Sequence, residues 1–455
     1  MAKTKDLTSG SPLKLIVTFS FPVLLGFFFQ ELYHTADTII VGRLLGSQAL
    51  GAVGATSPLI FLVFGFIQGA TAGFAVLTAQ AFGAKDKKKL EYSVAANIIL
   101  NLLMTLVITL LSITTVTPIL KLINTPENIF SMSRSYLLII YSCIFCSVLY
   151  NATSCILRAI GNSRMPLIFL IISSLLNIIL DYVFIRFCSW GVKGAAWATV
   201  IAQAFSGLLS LIYIKSKVDV LHINKKSFHI NDKILINHAK TGFPMGFQFS
   251  ITAIGSTILQ SALNHFGAYA IAGFSAAQKT EHLVSVAANT MGVAAANFTG
   301  QNYGAKRLDR VRDGVKTFIL LSVFCAALSM FIALVFPKEL TGLFVKADVA
   351  GYEEVMYAAK TFLFWCSLAF FPLYMIFIFR NTLQALGYSL MPLMGGVTEL
   401  VCRSLTAFIL PKYIGYTGIC LAGSIAWVCA SLLLAVSYAI IIRKTRLCRS
   451  TKTLH

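Results

Sequence analysis

Two aspartates, Asp37 and Asp181, lie inside long apolar runs, where water cannot solvate a carboxylate. An ionisable group at membrane depth is costly to hold and by default marks a function. Of seventeen acidic residues, five fall within such runs: Glu31, Asp37, Asp181, Glu281 and Glu399. Asn177 and Asp181 stand one helical turn apart on a shared face, as do Tyr33 and Asp37, with Gln30 completing the second stripe. At a rise of 1.5 Å per residue, Asp181 lies ~23 Å beyond Pro166 at the inner end of its run. Thr199 lies ~8 Å below Gly194, and Asp37 ~8 Å below Gly42, both measured from outer ends. Asp37, Asn177, Asp181 and Thr199 therefore fall at a common depth. Carboxylate, amide and hydroxyl oxygens converging there suit a hard cation, and a partly desolvated carboxylate suits a proton. These oxygens serve H+ and Na+ alike, so the choice between them stays open.

The remaining polar residues carry less. Glu31 is ~240° round the helix from Asp37, which takes it off that face. Lys279 and Glu281 face different sides of one helix; Glu281 is a candidate lining residue for a substrate cavity, with a structural pair as its plainer role. Gln30 and Gln68 are further cavity candidates. Glu399 and Arg403 are spaced to neutralise each other as a structural or gating pair. The seven histidines are dispersed and show no metal-ligating spacing, so no catalytic centre is expected, and no metal beyond Na+ at the coupling residues. Cys143 and Cys146 form a C-x-x-C within an apolar run without His or Cys partners, which reads as packing.

What positions these residues is a series of apolar runs of ~20 residues or more, each long enough to cross a bilayer as a helix. Apolar residues make up 57% of the 455-residue chain and charged residues only 12%, with a mean hydropathy of +0.80. A β-barrel would alternate over short segments, a pattern absent from this sequence. The runs give twelve spans at roughly 13–41, 48–83, 93–121, 131–157, 166–187, 194–215, 234–264, 269–300, 315–337, 355–384, 390–411 and 417–442. With the N-terminus inside, inner segments hold 24 Lys and Arg against 7 outside. The net charge of +20 is thus a topology signal that sets both termini in the cytoplasm, and nucleic acid is not an expected partner.

The chain repeats itself. Gly46–Leu90 and Gly267–Val311 align without a gap, ending in Gln80-Ala81-Phe82-Gly83-Ala84-Lys85 and Gln301-Asn302-Tyr303-Gly304-Ala305-Lys306. Phe21-Pro22 recurs as Phe243-Pro244, and Gly161-Asn162-Ser163-Arg164-Met165-Pro166 as Gly387-Tyr388-Ser389-Leu390-Met391-Pro392. Six spans per half is an even number, so both halves start from the same side and are parallel repeats. The expected fold is an all-α polytopic membrane protein. Its twelve transmembrane helices form two six-helix lobes related by a pseudo-twofold axis along the membrane normal. The boundaries are 1–215 for the N-terminal lobe, 216–233 for a cytoplasmic linker and 234–455 for the C-terminal lobe. Pro22 removes a backbone hydrogen bond in span one and is expected to kink or weaken that helix.

These motifs resemble the multidrug and toxic compound extrusion (MATE) family. The likeness rests on Pro22, on Gln30-x-x-Tyr33-x-x-x-Asp37-Thr38-x-x-Val41-Gly42-Arg43, and on the Gln-x-x-Gly-Ala-Lys blocks. It extends to Leu157-Arg158-Ala159-x-Gly161-Asn162-Ser163 and to Gly415-x-x-Gly418 with Trp427, and so covers essentially the whole chain. The resemblance implies a V-shaped pair of six-helix lobes and secondary active efflux of small cationic or amphipathic organic compounds, in antiport with H+ or Na+ and with no other cofactor. One branch of that family couples through N-lobe acids, and its pattern matches Asp37, Asn177, Asp181 and Thr199, with Tyr136 and Asn151 as neighbours. Another branch uses acids in spans seven and ten. Here Thr252 stands at the former place and span ten has no acid, which implies coupling in the N-lobe alone. A monomer in the plasma membrane, in contact with lipid and a small-molecule substrate, is expected. The alternative is a flippase for lipid-linked oligosaccharides or another amphiphilic lipid of the same superfamily. It would need a cavity rich in Arg and Lys, and the in-span bases here beyond the span ends are Lys279, Arg380 and Arg403.

Overall fold

The computed structural model describes residues 5–345 and 351–450, so Lys3, Lys346 and Lys452 of the charge count lie outside the described residues. It is helical almost throughout, with no strand among the described residues. The helices are α1 (Pro12–Gly83), α2 (Lys87–Leu122), α3 (Glu127–Ser142), α4 (Ile144–Ala159), α5 (Arg164–Tyr182), α6 (Val192–Lys217), α7 (Asp232–Leu263) and α8 (Gly267–Gly304). Then follow α9 (Leu308–Val335), the short α10 (Pro337–Gly342), α11 (Tyr352–Ser367), α12 (Phe370–Ala385), α13 (Leu390–Ile409), the short α14 (Pro411–Ile414) and α15 (Tyr416–Ser450). Helix is the form these runs must take, because each backbone N–H and C=O then finds its partner within the segment.

Seven of the described helices are long and apolar enough to cross a membrane, and nine if each bent pair counts as one span. Helix α1, at 72 residues, holds two spans end to end. Helices α7 and α8 are long enough, but Thr, Ser, Gln and Gly dilute their hydropathy. Counted this way, the structure carries the twelve runs of the sequence.

Three local features differ from expectation. The loop expected between spans one and two is absent, and a single residue, Gly46 at φ 81° and ψ −175°, breaks the helical path of α1. Gly267, at the equivalent place in the second half, adopts φ 83° and ψ 170°. Only glycine takes such angles without strain. Lys85 and Lys306, also equivalent, are both left-handed at φ 55° and 60°, so the duplication is visible in the backbone as well as in the letters. Secondly, spans four and ten are not single rods. Helices α3 and α4 meet at 48°, and α11 and α12 at 52°. Thirdly, helical dihedrals continue through Pro22, because its fixed φ fits a helix and only one backbone hydrogen bond is lost.

By their contacts the residues divide into two compact units, Met1–Ser250 with Gly300–Leu308, and Ile251–Thr299 with Asp309–His455. In the first unit, Val41, Ile67, Phe74, Leu137, Ile144 and Val200 belong to a buried apolar cluster. The start of α7 is fixed there by a polar chain: His238 Nε2 bonds Ser93 Oγ at 2.8 Å, Ser93 Oγ bonds Thr78 Oγ1 at 2.9 Å, and Asn97 Nδ2 donates to Thr78 Oγ1 at 2.9 Å. The end of α8 also lies in this unit, tied to the N-terminal segment. Leu7 N donates to Gln301 Oε1 at 2.9 Å, Asn302 Nδ2 to Leu7 O at 3.1 Å, and Gln301 Nε2 to Ala159 O at 2.8 Å. In the second unit, Phe274 and Phe362 meet edge-on at 4.6 Å, and Ser329 Oγ donates to Val284 O at 2.8 Å.

Candidate functional site

Four helices of the first unit bring Asp37 and its companions together. Helix α1 carries Tyr33 and Asp37 a turn apart, α5 carries Asn177 and Asp181, α6 carries Thr199 and α3 carries Tyr136. Asp181 stands one residue before the end of α5, and the chain then widens into a π turn over Val183–Phe187, with Cys188 N bonded to Val183 O at 3.1 Å. Such turns shift the side-chain register and occur often at functional sites. Nothing in the residue pattern signals this one.

Asp181 is fully buried, Asn177 is 1% exposed and Tyr136 5% exposed, while Asp37, Tyr33 and Thr199 are half-buried. The Asp37 and Asp181 carboxyls are within hydrogen-bonding reach of each other. Tyr33 and Tyr136 both lie in the field of the two carboxyls. Asn177 Nδ2 donates to Thr199 Oγ1 at 3.5 Å, and Thr199 Oγ1 in turn donates to Ala195 O at 3.1 Å. What remains is a set of buried oxygens that no protein donor reaches: Asp37 Oδ1, both oxygens of Asp181 and Asn177 Oδ1. Two ionised carboxylates at such range repel, and each buried acceptor without a donor is costly. A proton shared between the carboxyls removes the repulsion. A hard cation held by the same oxygens does so equally, so the donor set fits either. No group of three or more His, Cys, Asp or Glu side chains placed to hold a metal ion occurs among the described residues.

The other sequence candidates lie elsewhere. Asn151 is half-buried and donates to Ser147 O at 2.9 Å, while Ser147 Oγ bonds Gln203 on α6. Gln30 is half-buried, Gln68 and Glu31 are exposed, and Pro22 is buried in the first half of α1. Glu281 belongs to the second unit, where it accepts from Ser285 Oγ at 2.9 Å and lies 3.9 Å from His282 Nε2. Lys279 does not face it and sits 5.6 Å from the Phe344 ring centre. Glu399 is held by two arginines, Arg380 as well as the expected Arg403. One neighbour of the acid pair escaped notice in the sequence. The His34 ring lies tilted beside that of Tyr33, with ring centres 4.8 Å apart, and in the field of Asp37. Its spacing of three from Asp37 was the available signal.

The MatE family model matches residues 22–183 and 244–409. The probable multidrug resistance protein YoeA of Bacillus subtilis (strain 168) is 27% identical over 377 residues, 81% of this chain and 80% of its own length. The multidrug export protein MepA of Staphylococcus haemolyticus (strain JCSC1435) is 24% identical over 435 residues, 95% of this chain and 94% of its own. The crystal structure of MATE in complex with MaL6 superposes with a TM-score of 0.92 at 22% identity, over 98% of this chain and all of that one. At that identity the likeness is one of fold.

Proposed function

Because this chain belongs to the MatE family, whose model matches both of its halves, we propose that it exports small cationic or amphipathic organic compounds across the cell membrane in exchange for incoming H+ or Na+. The observation that carries this reading is the facing pair Asp37 and Asp181, whose inner oxygens have no protein donor. With the site empty of cation, like charge pushes α1 away from α5. With a proton or Na+ bound, the oxygens are satisfied and the two helices draw together. Gly46, nine residues beyond Asp37, gives α1 a pivot for that movement. Pro22, by freeing a carbonyl one turn back, weakens the helix on the other side of the pair.

An exchanger needs each ligand to bind its two states with different affinity. In this scheme cation and substrate favour opposite positions of α1, so each expels the other. The excess of basic residues on one side supports a membrane orientation with both termini in the cytoplasm. Multidrug export by relatives such as MepA supports the substrate class. The test is dye counterflow in proteoliposomes containing the full chain, driven separately by a pH gradient and by a Na+ gradient. One gradient should drive uptake against the dye gradient. Failure of both would overturn the exchange reading.

A further inference from the structure

In the interior of the second unit one acid meets two arginines. Glu399, 6% exposed on α13, is the acid there, and it faces two guanidinium groups, Arg380 of α12 and Arg403 one turn along α13, each 8% exposed. The two arginines are not held alike. Arg380 makes a hydrogen bond to Glu399 Oε1. Arg403 Nη2 stands 3.8 Å from Glu399 Oε2, beyond hydrogen-bond distance. Its Nε is buried with no acceptor. On the α7 side the guanidinium packs against Gly255, where a Cβ would stand 3.5 Å from Nη1 and where there is no side chain to offer an oxygen. Glu281, the other in-span acid of this unit, is engaged by Ser285 and His282 on its own helix.

Burying a guanidinium without a matched acceptor is among the costlier arrangements in a protein interior. The Nε and Nη2 donors form one edge of the arginine fork, the edge that grips a carboxylate with two parallel hydrogen bonds. In Arg403 that edge is unspent. We propose that Arg403 is a substrate-recognition residue, which takes the carboxylate of amphipathic substrates that carry one negative group. Resting on the export reading above, this assigns one residue of the second unit to the carboxylate of such cargo. The group it takes is a single carboxylate, because one edge of the fork pairs with one carboxylate. A pyrophosphate, as on a lipid-linked sugar, would leave its further charge unmatched in a low-dielectric interior.

The test uses a rhodamine dye with a free benzoic acid and its methyl ester, the same chromophore without the negative charge. Binding of each to the purified full-length protein is followed by fluorescence anisotropy, so the result does not depend on whether any gradient drives transport. The ratio of the two affinities is the readout, and a general loss of packing leaves it unmoved. In wild type the acid should bind more tightly than the ester. Arg403→Gln should shift the ratio toward the ester by about tenfold or more, the weight of a charge-assisted pair. Arg403→Lys, which keeps the charge but not the fork, should fall between the two, and it serves alone if the glutamine variant does not insert. Glu399→Gln, which removes the competing carboxylate, should move the ratio the other way. A ratio unchanged in the Arg403 variants, or a wild type that prefers the ester, overturns the proposal. Absence of gradient-driven dye transport with these binding ratios intact would overturn the exchange reading instead.

Discussion

The Asp181 carboxyl is turned onto that of Asp37, and no N–H or O–H of the described protein donates to either Asp181 oxygen. Asp181→Asn supplies an amide in place of one acceptor, so that Nδ2 can donate to Asp37 without a proton or Na+. The variant should fold at least as well as wild type, with a stability gain of ~1 kcal/mol or more if the new bond forms. Its gradient-driven dye transport should fall to the level of empty liposomes, and Asp37→Asn should do the same. Thermal unfolding in detergent beside counterflow reads both halves. Transport retained in either variant would remove the pair from the exchange.

Gln301 offers a different kind of test, because it holds the N-terminal segment from the end of α8. Its side chain accepts from Leu7 N and donates to Ala159 O, and all three residues are buried. Gln301→Ala strands the Leu7 N–H, and a buried donor without partner costs ~1–3 kcal/mol. The expected result is a lower unfolding temperature and fast tryptic cleavage after Lys5. Gln301→Glu keeps the acceptor for Leu7 and loses the donor, so it should protect Lys5 better than alanine does. Equal cleavage in wild type and Gln301→Ala would show that the segment is not held by this contact.

Asp6 gives that segment a pH dependence whose sign can be worked out. Partial burial would raise its carboxyl, but hydrogen bonds from the Thr8 side chain and backbone, together with the Lys85 charge at 3.7 Å, outweigh this and hold it below the ordinary carboxylate value. A carboxyl depressed in the folded state adds stability at pH above its unfolded value, and loses it as pH falls through the folded value. The effect should therefore be absent between neutral and mildly acid pH and appear only in strong acid. It should be small, ~0.2–1 kcal/mol, because the pair is open to solvent and screened by salt. Asp6→Asn should flatten the acid limb of thermal stability in detergent and leave the neutral plateau slightly lower. A steeper acid limb in the variant would reverse the assignment.

Much of this architecture was legible because hydropathy and duplication are written in many residues at once. Twelve apolar runs survive any single odd residue, and Asp37 and Asp181 stand out as rare charges in them. What escaped was set by one residue or by tertiary partners. Gly46 replaces a whole loop with a change of φ, which no hydropathy pattern registers. The bend between α3 and α4 falls at Cys143, without proline or glycine to announce it. The spacing of Glu399 pointed to Arg403, a local partner, whereas Arg380 on another helix took the shorter contact. Leu7 sits among polar residues with no period, so its burial at 1% exposure follows from tertiary partners such as Gln301 and Asn302.

Those two residues belong to the repeated block, and the block explains itself in three dimensions. Gly83 and Gly304 are equivalent in the two halves, and each faces the other's block. A Cβ on Gly83 would lie 1.9 Å from Gln301 O, and one on Gly304 would lie 1.8 Å from Gln80 O. The helix ends of α1 and α8 thus cross backbone to backbone, which small residues alone permit in a membrane protein. Backbone oxygens cannot rotate aside as a side chain would, so either alanine forces the helices apart by an ångström or more. Gly83→Ala and Gly304→Ala should each cut the yield of monodisperse protein sharply, and the double variant should be no worse than the poorer single one, since both wedge the same crossing. Gly54 is the control, as nothing lies within 4 Å of its Cβ position and it sits in the same helix as Gly83. Gly54→Ala should be neutral or stabilising by ~0.5–1 kcal/mol through chain entropy. Size-exclusion profiles of the four proteins decide the matter. A monodisperse Gly83→Ala variant with wild-type stability would show that the two helix ends do not meet this closely.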